Sequence, residues 1–169
     1  TFTSTVLDGN AGPLRRPRSA PLRAVYKNAP AAKMVHVKPC GANGLGHGVF
    51  AKCDIAAGEY LFEYAGERRH GVDWSALESS DARYMWDLGG GEAIDAEKCG
   101  NESRFLNHYE HILPLPNVEA ENVDEADGVH VVLRTLVKIP CGQQLVIHYG
   151  DHYAAGSVVL ARMGCVYVL

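Results

Sequence analysis

The chain has 169 residues, of which 47% are hydrophobic and 21% charged, and it carries a formal net charge of −4. A chain of this length is expected to form one domain and to bury most of its apolar surface. No apolar run approaches the ~20 residues that a membrane-spanning helix needs, so no helical membrane span is expected. The five cysteines are scattered, odd in number and without a CxxC pair, which favours a reducing compartment over a disulfide scaffold.

Charge is distributed unevenly along the chain. Residues 1–53 contain eight lysines and arginines but one acidic residue, whereas residues 54–169 contain eight basic and nineteen acidic residues, a net charge of −11. An acidic body attracts a basic peptide by long-range electrostatics. A solvated surface with one basic tail accounts for the same pattern, so the charge alone leaves both interpretations open.

Residues 1–32 are predicted to be a flexible basic lead-in. Within them, residues 12–21, GPLRRPRSAP, are rich in proline and arginine and have no apolar period, which is typical of an extended segment. Segments that contact nucleic acid and targeting remnants have similar compositions, and both remain alternatives.

The rest of the chain is dominated by short predicted strands between glycine-rich turns. These runs are β-branched, aromatic or alternating, and Gly, Pro, Asn or Asp residues bound them. The predicted strands are Met34–Val37, Gly48–Lys52, Tyr60–Tyr64, Val129–Arg134 and Leu145–Ile147. One or two helical turns are predicted at Val72–Leu77 and Ser103–His108, and a short helix at Gly156–Met163. Because long helices do not alternate with the strands, the pattern predicts a mostly β protein rather than a doubly wound parallel sheet.

An acidic stretch precedes the predicted strand Val129–Arg134. Its five acidic residues are Glu119, Glu121, Asp124, Glu125 and Asp127. The stretch is predicted to be a solvated loop, with docking of a basic substrate as the alternative.

Four short blocks combine apolar residues with polar groups that a hydrophobic core does not need. In chain order they are residues 44–49 (GLGHGV), 63–67 (EYAGE), 104–108 (RFLNH) and 145–150 (LVIHYG). Arg104, Asn107 and His108 are costly to bury unless they form hydrogen bonds. A ligand that forms those hydrogen bonds is therefore expected near the third and fourth blocks.

Together the four blocks resemble the SET domain, the fold of protein-lysine methyltransferases that use S-adenosylmethionine. The segments between them are similar as well. Residues 84–88 with 94–96 look like the strand pair before the Asn-His block, and residues 136–142 look like the turn before the final tyrosine. Four blocks in this order are a much more specific signal than any one of them. The resemblance covers residues 33–153 and leaves 154–169 as a short C-terminal extension.

The resemblance implies the β-clip SET fold, which is mostly β, with several small sheets, few short helices and a C-terminal pseudoknot-like active site. Many SET proteins carry zinc-binding cysteine clusters before and after the domain. Neither cluster has a counterpart here, so no structural zinc is predicted. His148 and His152 are four residues apart, as are Glu63 and Glu67, but the HExxH pattern is missing and no metal site is predicted.

The reaction implied by the resemblance is methyl transfer from a sulfonium to a lysine amine. A lysine with a pKa near ~10.4 is almost wholly protonated at neutral pH, and only the neutral amine has a lone pair to attack. The resemblance assigns the catalytic role to Tyr149, whose hydroxyl would orient the amine, and it places Tyr64 and Tyr84 along the cofactor and lysine channel. Each tyrosine taken singly is also explained as an ordinary packed aromatic residue.

Cofactor recognition is assigned mainly to Asn107 and His108. Their counterparts in the family hold the adenine and ribose end of S-adenosylmethionine, with Arg104 close by and with Tyr84 and Tyr149 lining the same site. A structural Asn-His cap on a short helix is the alternative.

The first block supplies a second set of expected cofactor contacts. Gly46 and Gly48 permit close approach of the backbone to a ligand. Leu45 and His47 would provide flanking contacts, although His47 departs from the Trp or Arg often found in the family. A turn without a ligand is the alternative for a GxG sequence alone.

The predicted lysine channel is lined by Tyr64, Ile147 and Tyr149. Ile147 stands where related enzymes often carry Phe or Tyr, and that position influences how many methyl groups fit. Because Ile is smaller, the resemblance predicts room for higher methylation states. A strand residue facing the core explains Ile147 equally well.

The chain departs from the family after Asn107–His108. The family usually continues with Ser-Cys and then quickly Pro-Asn, whereas this chain has the insertion 109–115, YEHILPL, before Pro116 and Asn117. The insertion is expected either to reshape the cofactor entrance or to replace part of the missing C-terminal cysteine module.

These observations predict an S-adenosylmethionine-dependent protein-lysine N-methyltransferase that acts on a histone tail or another basic protein segment. Two alternatives remain: a catalytically inactive SET-fold binding module, and a methyltransferase for a non-histone protein. The predicted location is the nucleus or chromatin in a eukaryote or a eukaryotic host, and the cytoplasm otherwise. No membrane partner is expected.

Overall fold

The structure is a computed structural model in which three stretches of chain are described, residues 31–41, 46–77 and 82–149. Several predicted features lie outside the described residues: lead-in residues 1–30, Leu45, the helix Gly156–Met163 and the extension 154–169. No helix in the described stretches is long and apolar enough to cross a membrane.

The first sheet joins the beginning and the end of the described chain. Its strands are β1 (Val35–Pro39), β2 (His47–Ala51), β7 (Asn107–His108) and β10 (Gln144–Ile147). Their order is β1-β2-β10-β7. β2 pairs antiparallel with β1 and β10, whereas β7 runs parallel to β10, with Asn107 opposite Val146 and His108 opposite Ile147. This parallel pairing brings the third and fourth sequence blocks side by side.

The second sheet contains the strands β3 (Tyr60–Glu63), β8 (Val118–Glu125) and β9 (Gly128–Thr135). It is antiparallel, and the strand order is β3-β9-β8. The predicted acidic loop is wrong for most of its length, because four of its acidic residues lie in β8. β8 pairs with β9 along its full length, from Val118 opposite Thr135 to Glu125 opposite Gly128.

The third sheet contains the strands β4 (Glu67–Arg69), β5 (Met85–Gly89) and β6 (Glu92–Asp95). It is also antiparallel, and the strand order is β4-β6-β5. β5 and β6 form the strand pair that the resemblance implied, with ends that differ by one or two residues.

Helices are few and short in the described residues. They are α1 (Ala31–Met34) and a 3-10 helix (Glu102–Phe105). The Asn101 side chain caps the 3-10 helix by accepting from the backbone N–H of Ser103 at 3.1 Å. The helical prediction for Ser103–His108 is therefore right only at its start, since residues 107–108 form β7. The prediction for Val72–Leu77 is wrong, because this segment contains a turn and no helix.

One hydrophobic core is shared by the three sheets. Each sheet contributes fully buried residues: Val49 and Leu145 from the first, Leu61 and Leu133 from the second, and Trp86 and Ile94 from the third. Burial of each such side chain contributes about 1.5–3 kcal/mol relative to exposure. The sheets are thus held together by one core, and the ends of β3, β7 and β10 meet at its edge.

Asn117 ties the chain across β10. Its side-chain Nδ2 donates to the carbonyl of Gln144 at 2.8 Å, and its Oδ1 accepts from the N–H of Val146 at 2.8 Å. The segment from β7 to β8 therefore contacts β10 both at its start, where Asn107 pairs with that strand, and at its end, through Asn117. The predicted mostly β fold of several small sheets is confirmed.

Candidate active site

Tyr149 is anchored at both its side chain and its backbone. It lies two residues after the end of β10, half-buried against the core. Its hydroxyl donates to the carbonyl of Leu106 at 2.5 Å, and its backbone N–H donates to Nδ1 of His108 at 3.1 Å. The tyrosine predicted to be catalytic is therefore positioned by the third sequence block.

Tyr64 and Tyr84 lie close to Tyr149. Tyr64 follows β3 and is 1% exposed, and its hydroxyl donates to the carbonyl of Tyr84 at 2.9 Å. Burial raises the pKa of the Tyr64 hydroxyl far above its ordinary value, and the nearby Tyr149 raises it further. Tyr64 is consequently a neutral phenol across the physiological pH range.

The Arg104 guanidinium lies over the Tyr84 ring, and no carboxylate among the described residues forms an ion pair with it. Its guanidinium carbon is 4.2 Å from the centroid of Tyr84 and 5.3 Å from that of Phe105, within cation-π range. Its Nε is buried and has no hydrogen-bond partner among the described residues. A buried, unsatisfied donor on a cation is suited to an anionic group of a ligand.

Asn107 links β7 to the start of β2. Its Nδ2 donates to the carbonyl of His47 at 3.1 Å and lies 3.5 Å from Sγ of Cys40. Gly48 faces this contact, because a Cβ there would lie 2.5 Å from Nε2 of Gln144, 2.7 Å from Sγ of Cys40 and 3.1 Å from Nδ2 of Asn107. A side chain at position 48 would make the Gln144, Cys40 and Asn107 side chains shift, so glycine here leaves room for their contacts.

The turn before β2 also depends on glycine. Gly46 is exposed and has a φ of +65°, a conformation that residues with a side chain rarely adopt. His47 is exposed and its ring lies 6.1 Å from that of Phe105. Both predicted contact residues thus line the surface beside Asn107.

His108 is 7% exposed and surrounded by aromatic rings. Ring centroids lie at 4.7 Å for Tyr109, 5.4 Å for His148 and 5.3 Å for Tyr149. Burial is the largest influence on its ring and lowers its pKa below 6.5. His108 is therefore neutral at physiological pH, as its role as an acceptor for Tyr149 requires.

Ile147 is the last residue of β10 and is 2% exposed. It packs in the shared core, and its carbonyl accepts from the N–H of Tyr109 at 3.0 Å. The interpretation as a core-facing strand residue is confirmed, while its influence on the lysine channel stays a prediction.

The predicted site residues fall into two adjoining groups. The first group contains three tyrosines and a cation: Tyr64, Tyr84, Tyr149 and Arg104. The second lies along the neighbouring edge of β2 and contains Gly46, His47 and Asn107. His108 joins the two through its contacts with Tyr149. Leu45 is outside the described residues, so its expected contact stays a prediction.

Sequence reasoning missed three contributors to this region. The Cys40 thiol contacts Asn107, and the Leu106 carbonyl accepts a hydrogen bond from the Tyr149 hydroxyl. The third is Asn117, whose side chain forms hydrogen bonds with β10. Only Cys40 carried a usable signal, since it lies between the predicted strand Met34–Val37 and the glycine-rich block. A backbone carbonyl carries no sequence signal at all.

Metal ligation has no candidate in the described stretches. No three His, Cys, Asp or Glu side chains within them are grouped closely enough to hold a metal ion. Cys40, Cys53, Cys99 and Cys141 are free thiols. The absence of structural zinc from the protein as a whole stays a prediction.

The family comparison decides how this geometry is classified. The model of the SET domain family matches residues 46–150, which is more than half of the chain and contains all four sequence blocks except the first two residues of the first. The chain belongs to the SET domain family. The β7–β10 junction is accordingly the part of this SET domain that holds its Asn-His block against its final tyrosine.

Several curated proteins are similar to the chain over about two thirds of its length. A histone-lysine N-methyltransferase from Coccidioides immitis, described as H3 lysine-36 specific, is 31% identical over 118 residues, 65% of this chain. The trithorax histone-lysine N-methyltransferase of Drosophila melanogaster is 32% identical over 109 residues, 62% of this chain. EZH2 of Chaetomium thermophilum is 29% identical over 134 residues, 73% of this chain. The chain spans only 11%, 3% and 8% of these relatives.

Solved structures of polycomb repressive complex 2 share the fold. The active complex in its stimulated state has a TM-score of 0.62 at 26% identity, over 77% of this chain and 17% of that chain. The autoinhibited complex named ctPRC2, bound to S-adenosylmethionine, has a TM-score of 0.57 at 26% identity, over 69% of this chain and 15% of that chain.

Proposed function

We propose that the chain is the catalytic SET domain of an S-adenosylmethionine-dependent protein-lysine N-methyltransferase. The observation that carries this proposal is the β7–β10 junction, where Leu106 and His108 fix Tyr149 beside Asn107. Family membership and relatives named as histone-lysine methyltransferases support it.

Two unsatisfied polar groups fit S-adenosylmethionine. The Arg104 guanidinium has a buried Nε without a partner among the described residues, and it matches the carboxylate of the cofactor. Nδ2 of Asn107 donates to the His47 carbonyl, whereas no described residue donates to its Oδ1, which is suited to accept from an N–H group at the adenine end of the cofactor. Arg104, Asn107, His108 and the exposed Gly46–His47 edge would hold the cofactor, with Tyr84 and Tyr149 at its reactive end.

The tyrosines present acceptors to an incoming lysine. Tyr149 and Tyr64 both direct their hydroxyl protons at backbone carbonyls, so the remaining lone pairs of their oxygens can accept N–H or weak C–H contacts. When bound, S-adenosylmethionine supplies a methyl group on a positively charged sulfur. These oxygens would orient the lysine amine so that its lone pair faces that methyl group.

The surroundings favour the neutral amine. Ile147 and Tyr64 are almost fully buried, and Arg104 adds a positive charge near Tyr64. Both desolvation and nearby positive charge lower the pKa of a lysine amine. Alignment of the reacting groups can then supply on the order of 7 kcal/mol or more. The described residues thus position the amine and favour its neutral form, whose proton is lost to solvent, with Tyr149 as the catalytic group.

The proposed substrate is a lysine in a basic protein segment, with a histone tail favoured. Residues 54–169 carry a net charge of −11, and the acidic side chains of β8 lie on an edge strand of its sheet. A basic peptide is attracted to such a surface. Histone-directed relatives support nuclear or chromatin location. Contact of residues 1–32 with nucleic acid stays a prediction.

Ile147 is proposed to permit higher methylation states, since a branched aliphatic side chain at the end of β10 occupies less volume than an aromatic ring. The variant Ile147→Phe should shift the product of a fixed lysine peptide toward the monomethyl form at equal conversion. Mass spectrometry of the peptide at several time points measures this. Unchanged di- and trimethyl fractions would remove Ile147 from the channel.

A labelled-methyl assay tests the proposed function. The full chain is incubated with labelled S-adenosylmethionine and either core histones or a cell lysate, and modified lysines are located by mass spectrometry. Label on a histone lysine is the expected result, and label on another lysate protein alone identifies a non-histone methyltransferase. Cofactor binding with no label in either arm would contradict catalysis and favour the inactive binding module, an option that the altered sequence after His108 keeps open.

A further inference from the structure

Residues of the insertion lie directly against His108. Tyr109 begins a tight turn in which its carbonyl accepts from the N–H groups of Ile112 at 3.0 Å and Leu113 at 2.9 Å. His111 within the turn has a φ of +66°. The turn fixes the start of the insertion, and Oε2 of Glu110 lies 3.6 Å from Nε2 of His108.

The contact between His108 and Tyr149 defines the tautomer of the imidazole. A backbone N–H is always a donor, so the Nδ1 atom that faces Tyr149 at 3.1 Å must carry a lone pair. In the neutral ring the proton then resides on Nε2, the atom nearest Glu110. A carboxylate at 3.6 Å is too distant for a good hydrogen bond, but its negative charge stabilises a proton on that nitrogen.

We infer that Glu110 is a positioning residue, which acts through His108 to hold the backbone of Tyr149. Glu110 favours the Nε2–H tautomer, and that tautomer leaves Nδ1 to accept from Tyr149. The inference rests on the proposed function only where it concerns the rate of methyl transfer. The tautomer and the Tyr149 contact belong to the protein alone.

Protonation of His108 would break this arrangement. A proton on Nδ1 replaces the lone pair and repels the Tyr149 N–H. Burial lowers the pKa of His108, Glu110 raises it, and His148 and His111 lower it by their charge. The rings of Tyr109 and Tyr149 also face the imidazole. Activity should therefore fall as the pH drops through the His108 pKa.

The first experiment measures the tautomer of the full chain, without cofactor or substrate. Long-range proton–nitrogen NMR spectra of histidine-labelled protein distinguish Nε2–H from Nδ1–H rings, and His108→Gln identifies the signal. The wild type should be Nε2–H at neutral pH. Glu110→Gln, which removes the charge with little change of shape, should increase the Nδ1–H fraction, and Glu110→Asp should restore the wild-type spectrum. A wild-type ring protonated on Nδ1, or a spectrum unaffected by Glu110→Gln, overturns the inference.

The second experiment measures single-turnover rates against pH. The ratio of variant to wild type cancels ionisation of the lysine substrate, because both enzymes act on the same peptide. Glu110→Gln should lower the rate about tenfold at neutral pH, within the range typical of residues that orient a functional histidine, with KM unchanged. Loss of the carboxylate should also move the acid limb to lower pH. Glu97→Gln, an equal charge change at an exposed residue, should do neither.

The two experiments separate the inference from the proposed function. Glu110 is 42% exposed at its side chain, so Glu110→Gln should fold, and its thermal midpoint checks this. If the wild type transfers no methyl group but the tautomer responds to Glu110, the positioning contact stands and the proposed function fails. Rates of Glu110→Gln within about twofold of wild type across the pH range would overturn the inference even if the enzyme is active.

Discussion

At the scale of single residues, Tyr149 has a position that its neighbours in the fold determine. Its hydroxyl donates a hydrogen bond to the Leu106 carbonyl, and its backbone N–H donates to Nδ1 of His108. Sequence resemblance identified the tyrosine but not its anchors, since one anchor is a backbone carbonyl. The chemistry proposed for Tyr149 therefore depends on the segment of residues 106–108 as much as on its own hydroxyl.

Tyr149→Phe should retain the fold and cofactor affinity but lose most of the methyl-transfer rate. The substitution deletes the hydroxyl and keeps the ring that packs on the core. A transition-state contribution of roughly 3 kcal/mol corresponds to about a hundredfold in rate. Single-turnover rates at saturating cofactor measure the change, with Tyr60→Phe as a matched control in the separate cluster around Val123. A Tyr149→Phe rate within about threefold of wild type would mean that the catalytic tyrosine is misassigned.

Asn107→Ala and His108→Ala should have different consequences. Sequence alone predicts that both weaken the cofactor far more than the fold, but the structure gives His108 a buried protein partner. We expect Asn107→Ala to weaken cofactor binding by about tenfold or more, equal to 1.4 kcal/mol, with a small change in thermal midpoint. His108→Ala should lower both the cofactor affinity and the thermal midpoint, because it leaves the Tyr149 N–H without its acceptor.

Calorimetry and thermal denaturation of the same preparations distinguish these roles. The assignment of Asn107 to the cofactor is wrong if Asn107→Ala binds S-adenosylmethionine as tightly as wild type while its thermal midpoint falls by several degrees. In that case its contact with the His47 carbonyl is structural.

At the scale of elements, the sequence predicted the strands that bury apolar residues. It missed the strands that are stabilised mainly by hydrogen bonds with a neighbouring strand. β2, β3, β9 and β10 carry β-branched or aromatic runs and lie within two residues of their predicted positions. β8 has two fully buried valines, Val118 and Val123, whose spacing of five residues lacks the period of two. Its backbone hydrogen bonds with β9 stabilise it, and its acidic side chains occupy the edge of the sheet.

β7 illustrates the same limit more sharply. Two residues contain too little sequence for any periodicity, and the local pattern favoured continuation of the helix that ends at Phe105. Asn107 and His108 are extended because β10 pairs with them from almost 40 residues away along the chain. Local propensity carries no information about a long-range pairing of this kind.

Gly66 should be intolerant of any side chain. It lies between β3 and β4, and a Cβ there would be 2.4 Å from the carbonyl oxygen of Asp95 in β6. Because the obstruction is backbone, no side-chain rotation relieves it. Gly66→Ala should lower the free energy of unfolding by about 3 kcal/mol, the upper part of the usual range for overpacking.

Chemical denaturation of Gly66→Ala measures this cost. Ser75→Ala, in an exposed turn, serves as a control and should change the unfolding free energy by less than about 1 kcal/mol. A Gly66→Ala protein as stable as the wild type would show that residue 66 and the Asp95 carbonyl are not this close.

At the scale of the whole molecule, one core holds three small sheets so that four distant sequence blocks meet at its edge. The fold class and the family were accessible from sequence because those blocks combine glycine, polar and aromatic residues in a fixed order, and the site residues assigned from them stay predictions. The carboxylate beside His108, the thiol beside Asn107 and the Asn117 clamp were not accessible, since each joins residues at least 27 positions apart or belongs to an insertion without a family pattern.

The central claim is that this edge binds S-adenosylmethionine through the side chains of the chain itself. The most direct test is calorimetric titration of the full chain with S-adenosylmethionine after treatment with a chelator. The account predicts binding to one site with unchanged affinity after metal removal. No binding to folded protein, or binding that disappears with the metal and returns when it is restored, would contradict the account.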